Sequence, residues 1–263
     1  MAARWVDLAE AKRALVEGTG KGIRVAVLDS GVEAGHPRLG LNLVDDLAVV
    51  AEKNRLRVIK GGERDSFGHG TAVAGVIHEL APDAKIGSIR VLGHDNTSRT
   101  IIICRAAQEA LDRGYHIINC SFGCGVENQV LDYKTWVDEA YLKGVHVVAA
   151  CDNIDFSKTE WPAYFSSVIA VNMAEADDGD VFYYQRDTLV EFAARGVNVT
   201  VAWAGGGEKV VTGSSFAAPR LSGMLARLLS VFPDLTPLEA KAIFRKLALP
   251  WTQKIAAQNV WFG

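Results

Sequence analysis

An acid, an imidazole and a hydroxyl stand at three places where the local sequence predicts a strand end or a helix start: Asp29 in VAVLDSGVEAGHP, His69 in DSFGHGTAVAG and Ser215 in TGSSFAAP. A serine hydroxyl is a poor nucleophile at neutral pH until a histidine within hydrogen-bond reach takes its proton. A buried carboxylate must in turn hold that histidine in the right tautomer. The three residues supply those parts and point to hydrolysis by acyl transfer. Their flanks say how they are positioned. Asp29 closes the apolar run 23–28, which has the length of a buried strand, and Gly31 lets the chain turn after it. His69 lies between Gly68 and Gly70, ahead of a small-residue apolar run over 71–77 that reads as a buried helix with the imidazole in its first turn. Ser215 opens a helix that Leu221, Met224, Leu225 and Leu228 continue at helical spacing. The start of such a helix aims free backbone N–H groups and a positive dipole end at a substrate carbonyl oxygen.

These segments resemble those of the subtilisin-like serine peptidases, in which D-[ST]-G, H-G-T and G-T-S-x-A-x-P motifs follow one another in this order. Two further stretches match: IINCSFG over 117–123 is similar to the family's substrate-binding strand, and VVAACDN over 147–153 to the strand that carries its oxyanion asparagine. The similarity runs from about Trp5 to about Leu247. One such triplet occurs often by chance, whereas five segments in the right order do not. The resemblance implies an α/β fold, a subtilisin-like three-layer sandwich with a mostly parallel central sheet and helices on both faces. It implies a serine endopeptidase in which Asp29 orients His69, His69 activates Ser215, and Asn153 donates its side-chain amide to the oxyanion beside the Ser215 N–H. An asparagine after a strand also serves as a plain turn residue. Asp152 stands where the family has glycine, and Ser214 where it has threonine.

The same resemblance places an extended peptide channel along 90–99 and 120–125, where a substrate adds as a strand. Bulkier residues over 94–100 than the family carries there would narrow its outer pockets. The pocket for the residue before the scissile bond falls between Ser121, Phe122 and Gly123 on one side and 150–153 on the other, with its floor near Glu160. Glu160 occupies a position that is often glycine in the family. A carboxylate there, helped by Asp152 or Asp155, would pair with arginine or lysine, so cleavage after a basic residue is expected. The same acids would equally suit a solvated loop. A transpeptidase or macrocyclase, or a catalytically silent peptide binder, are the alternatives on this fold.

The wider chain fits a single peptidase domain over 1–263. Apolar strands (23–28, 85–92, 115–121, 145–151, 167–172) alternate with helical segments (69–80, 100–113, 131–143, 215–231, 236–248), which implies a parallel sheet with its site at the strands' carboxyl ends. The segments 41–60 and 181–212 read as excursions or antiparallel additions. A net charge of −3 gives no reason to expect nucleic acid or an anionic membrane as partner, and the resemblance implies a peptide or protein substrate. Asp7, Glu10 and Glu17 interrupt the opening stretch where a signal peptide needs an apolar core, so a cytoplasmic location without signal peptide or propeptide is expected. Cys104, Cys120, Cys124 and Cys151 read as buried free thiols, in keeping with a reducing compartment; Cys151, close to Asn153, would make activity sensitive to thiol reagents. No cofactor and no metal are expected, because 78–84 runs directly into the next strand where the family commonly inserts a calcium loop.

Overall fold

The structure is a computed structural model describing residues 5–53, 55–62, 64–177 and 179–251, so both ends of the 1–263 span lie outside the described residues. Its spine is a ten-stranded sheet. The central strands are β1 (Arg24–Asp29), β4 (Lys85–Arg90), β5 (Ile117–Cys120), β6 (His146–Ala150) and β7 (Ile169–Ala174). One edge is completed by β2 (Asp45–Glu52) and β3 (Arg55–Lys60), the other by β8 (Phe182–Tyr184), β9 (Phe192–Arg195) and β12 (Leu249–Pro250). The spatial order is β12-β8-β9-β7-β6-β5-β1-β4-β2-β3. The run from β2 to β9 is parallel throughout; β3 pairs antiparallel with β2 and β8 antiparallel with β9, while β12 adds parallel to β8.

Helices cover both faces. On one lie α1 (Leu8–Glu17), α2 (His69–Leu80), α5 (Ser214–Val231) and α6 (Pro237–Leu247); on the other lie α3 (Thr100–Asp112) and α4 (Val130–Leu142). The alternation of strand side chains decides which layer each residue joins. In β1, Val25 and Val27 pack on the α2 and α5 side, and Ala26 and Leu28 on the α3 side. Asp29, next in the odd-numbered series, therefore faces the layer where α2 and α5 begin. Leu221, Leu225 and Leu228 of α5 are wholly buried, each contributing about 2 kcal/mol of apolar transfer.

Several features differ from the sequence reading. Helix α1 was not expected, although Leu8, Ala11 and Leu15 recur at helical spacing; Asp7 caps it by accepting from Ala9 N and Glu10 N, and it buries Ala11 and Ala14. In the segment 41–60, β3 is an antiparallel addition as expected, returning on β2 through Lys53 at a φ of 45°, but β2 itself joins the main sheet parallel to β4. Within 181–212, the short strand β9 is likewise a parallel member of the main sheet on β7, while β10 (Val199–Trp203) and β11 (Gly207–Val211) form a separate hairpin. The strand expected over 167–172 begins at Ile169 because the Val168 N–H closes a turn onto the Phe165 carbonyl at 2.9 Å. Strand β4 stops at Arg90, and the N–H groups of Val91 and Leu92 both turn onto the Asp29 carbonyl, at 2.8 and 3.1 Å. All four cysteines are unpaired; Cys120 and Cys151 are buried, whereas Cys104 and Cys124 are only half-buried.

Candidate active site

Asp29 ends β1 at 1 % exposure and His69 starts α2 at 6 %. His69 Nδ1 lies 2.8 Å from Asp29 Oδ1 and 3.0 Å from Oδ2, so Nδ1 carries the proton and Nε2 is left as the basic nitrogen. Gly70 permits this approach: a Cβ there would meet the Gly31 carbonyl oxygen at 2.0 Å and Asp29 Cβ at 3.1 Å. Gly68, the N-cap of α2, has a φ of 110°, and a Cβ on it would strike the Trp203 ring. Trp203 is held from behind by buried His36. The Arg38 N–H donates to its Nδ1, which leaves Nε2 to donate to the carbonyls of Trp203 and Gly207 at 3.1 and 2.9 Å.

A residue the sequence reading passed over organises this corner. Asp65 Oδ1 accepts from Ser30 Oγ, Phe67 N and Gly68 N, and Oδ2 accepts from the backbone and hydroxyl of Thr71. Gly68 cannot cap α2 with a side chain, so Asp65 does it from three residues upstream. An acid just ahead of a helix start is a legible signal. Burial of His69 opposes the charged form, but Asp29 at hydrogen-bond distance and the charge of Asp65 outweigh it and raise the imidazole pKa above its ordinary value.

Ser215 is the second residue of α5 and half-buried. Its hydroxyl donates to the Ser121 carbonyl at 3.1 Å in this structure, and the Ser121 hydroxyl donates back to the Ser215 carbonyl at 3.0 Å. Pro219 explains why that carbonyl is open, because a proline four residues on has no N–H with which to close the helical bond. Asn119 links the assembly: its amide donates to Ser121 Oγ at 3.0 Å and its oxygen accepts from Ser222 Oγ at 2.8 Å. The backbone of Ser215 is thus tied to the end of β5 from two points on its own helix.

Asn153 follows β6 across from the start of α5. Its Oδ1 accepts from the Ser214 N–H at 2.7 Å, and Ser214 Oγ lies 2.8 Å away. A backbone N–H can only donate, so this contact fixes which end of the amide is oxygen; Nδ2, without an acceptor among the described residues, is the donor end and would lie 3.5 Å from a Cβ on Gly213. The single Ser214 hydroxyl proton is shared between Asn153 Oδ1 and the Cys151 carbonyl, 2.6 Å away. Serine in place of threonine therefore keeps the hydroxyl that braces Asn153. Asp152 does not point at this donor. Its Oδ1 accepts from Ile154 N and Asp155 N and its Oδ2 from Lys158 Nζ. Burial works against its charge, yet these two N–H groups and the ammonium hold its pKa below the ordinary carboxylate value.

The two sides of the expected specificity pocket are joined by backbone. Cys124 and Trp161 exchange both N–H···O bonds at 2.9 Å, which draws Glu160 against the Ser121–Phe122–Gly123 segment. A Cβ on Gly123 would lie 2.4 Å from Glu160 Oε2. Glu160 and Asp152 meet at Lys158, which the sequence reading also passed over. Asp155 instead accepts from the backbone and hydroxyl of Ser157 and shapes the loop. Farther along the channel a cavity of 670 Å³ is lined by Leu92, Ser98, Ile103, Phe122, Cys124 and Tyr133. Among the described residues no cluster of His, Cys, Asp and Glu has the arrangement of a metal site. The assembled groups offer a basic imidazole nitrogen, a hydroxyl, and two N–H donors at a helix start, the requirements of acyl transfer.

Comparison with known proteins agrees. The profile described as "Subtilase family" matches residues 20–260. Subtilisin BL of Lederbergia lenta is 30 % identical over 217 residues, spanning 79 % of this chain and 76 % of its own. M-protease of Shouchella clausii (strain KSM-K16) is also 30 % identical over 217 residues, and there the match covers only 54 % of the relative's length. The solved structure of the S41 psychrophilic protease superposes with a TM-score of 0.73 at 25 % identity, covering 87 % of this chain and 83 % of the other. With its ten-stranded, mostly parallel sheet and helices on both faces, the chain belongs to the subtilase family of serine endopeptidases.

Proposed function

We propose that this endopeptidase cleaves after basic residues, with Asp29, His69 and Ser215 as its catalytic residues. Ser215 Oγ turns from the Ser121 carbonyl to His69 Nε2, gives up its proton there and bonds to the substrate carbonyl carbon. The resulting oxyanion is held by Asn153 Nδ2 and the Ser215 N–H, His69 returns the proton to the leaving amine, and water then hydrolyses the acyl-enzyme. The observation that carries the selectivity is Glu160. Its carboxylate lies against Gly123, 14 % exposed, and its Oε2 accepts no hydrogen bond among the described residues. A cytoplasmic setting is part of the same reading, supported by four unpaired thiols; cell fractionation tests it. No helix among the described residues is long and apolar enough to cross a membrane.

The main test is mass spectrometry of wild type and Ser215→Ala incubated with a mixed peptide library near pH 8. Cleavages confined to wild type and following Arg or Lys are expected. Cleavage mainly after Leu or Phe overturns the selectivity. Ligated products in place of new carboxyl termini signal transpeptidation, and a folded wild type that neither cleaves nor takes a fluorophosphonate label is a silent binder.

A further inference from the structure

Lys158 projects over the pocket wall, where a Cβ on Gly125 would lie 3.8 Å from Lys158 Cε. Its ammonium sits 2.9 Å from Asp152 Oδ2 and 3.2 Å from Glu160 Oε1, bridging the loop that carries Asn153 and the expected floor. The two carboxylates are 16 % and 14 % exposed and Lys158 is 54 % exposed. The acids are thus the fixed partners, and the lysine is the one able to swing into solvent. Two anions and one cation leave one net negative charge in the group.

We propose that Lys158 is a specificity-determining residue: a resident cation that partly neutralises Asp152 and Glu160 and competes with the substrate side chain before the scissile bond. This rests on the basic selectivity proposed above. A substrate arginine or lysine brings a second cation to the unpartnered Glu160 Oε2, and the pocket then holds two charges of each sign. An apolar side chain leaves the odd negative charge covered and unpaired, which costs affinity. The Lys158 charge also repels the incoming guanidinium, so it sets how strongly the pocket prefers cations, and not whether it does.

Peptidyl diphenyl phosphonates carrying Arg or Leu at the reacting position test this, because they bond to the nucleophile without needing turnover. Second-order inactivation rates are measured for wild type, Lys158→Met, Lys158→Arg and Glu160→Gln, each normalised to its fluorophosphonate-labelled sites. Removing one like charge from a half-exposed site raises the Arg:Leu rate ratio ~10-fold in Lys158→Met. Lys158→Arg keeps the ratio near wild type, and Glu160→Gln lowers it. An unchanged or lowered ratio in Lys158→Met, with Glu160→Gln still lowering it, overturns the role of Lys158 and leaves the basic selectivity standing. A wild-type ratio at or below one that Glu160→Gln does not move overturns the selectivity itself, and the Lys158 role with it.

Discussion

Replacing Asp65 with asparagine separates two effects of one carboxylate. Asparagine of the same shape keeps an oxygen for the contacts from Ser30 Oγ, Phe67 N and Gly68 N, at 2.7, 3.0 and 2.7 Å. It turns an NH₂ group on Thr71, whose N–H and hydroxyl both donate to Oδ2, at 2.8 and 2.7 Å. The hydroxyl can reverse and accept, but the backbone N–H cannot. One bond to a charged group, about 1.5–3 kcal/mol, is therefore lost outright, and the others fall toward the neutral value of about 1 kcal/mol. Because a single charge is shared among all these donors, the losses do not add, and the expected destabilisation is roughly 2–4 kcal/mol. The second effect is on His69, whose pKa the Asp65 charge helps to raise. His69 serves as a base only when neutral, so wild-type kcat/KM should rise with pH through a value above 6.5. In Asp65→Asn that acid limb moves to lower pH. Urea unfolding and a pH–rate profile on one peptide substrate measure the two effects. Stability within about 1 kcal/mol of wild type, below the range a lost charged bond spans, refutes the capping argument. A limb that stays put or moves up refutes the electrostatic one.

Asn153→Ala should lower kcat by about 10²–10³ with little change in KM, the scale established for such a donor in subtilisin. Asn153→Asp keeps the acceptor for Ser214 but sets a charge against the oxyanion, so it should fall at least as far; wild-type kcat in that variant would exclude the donor role. Burial lowers the pKa of His146 to about 4, so between pH 6.5 and 4 the unfolded chain binds a proton that the folded chain does not. Stability should therefore decline by up to roughly 3 kcal/mol as pH falls across that window, and His146→Leu should flatten the decline in urea titrations at pH 7 and 4.5. Cys120 and Cys151 are buried, and burial raises both thiol pKa values, so neither should react with Ellman's reagent until the protein unfolds. Rapid labelling of Cys151 with loss of activity would restore the thiol sensitivity expected from its closeness to Asn153.

Much of this was legible because it is local. The apolar stretch before Asp29 and the run of small residues after His69 predict both elements, and Gly70 shows why those small residues matter; the side on which Asp29 and His69 meet comes from the sheet's packing. Helix 69–80 was placed correctly from that run alone. Strand β9 was not legible, because a four-residue strand carries almost no periodicity of its own and its place is set by β7; helix α1 carries a cap at Asp7 and apolar residues at helical spacing, but where it docks is set by α5. The pocket chemistry was half legible. Glu160 could be placed by resemblance, but its meeting with Asp152 at Lys158 depends on the path of the 151–160 loop and on the pairing of Cys124 with Trp161, and neither has a sequence signature. Asp65 was readable in principle and was overshadowed by the histidine beside it.

Helix α5 bears Ser215 at its head and packs on α1, α2, β5, β6, β7 and β9, all of which precede it in the chain. During synthesis the acid and the base emerge first, and the nucleophile can be seated only when almost every earlier element is in place to receive its helix. On the proposed mechanism, cutting therefore begins only once α5 is seated. A partly made copy cannot digest itself, and any loss of unfinished chains must come from a second, finished molecule. Self-damage should therefore scale with protein concentration, and dilution should spare a refolding sample.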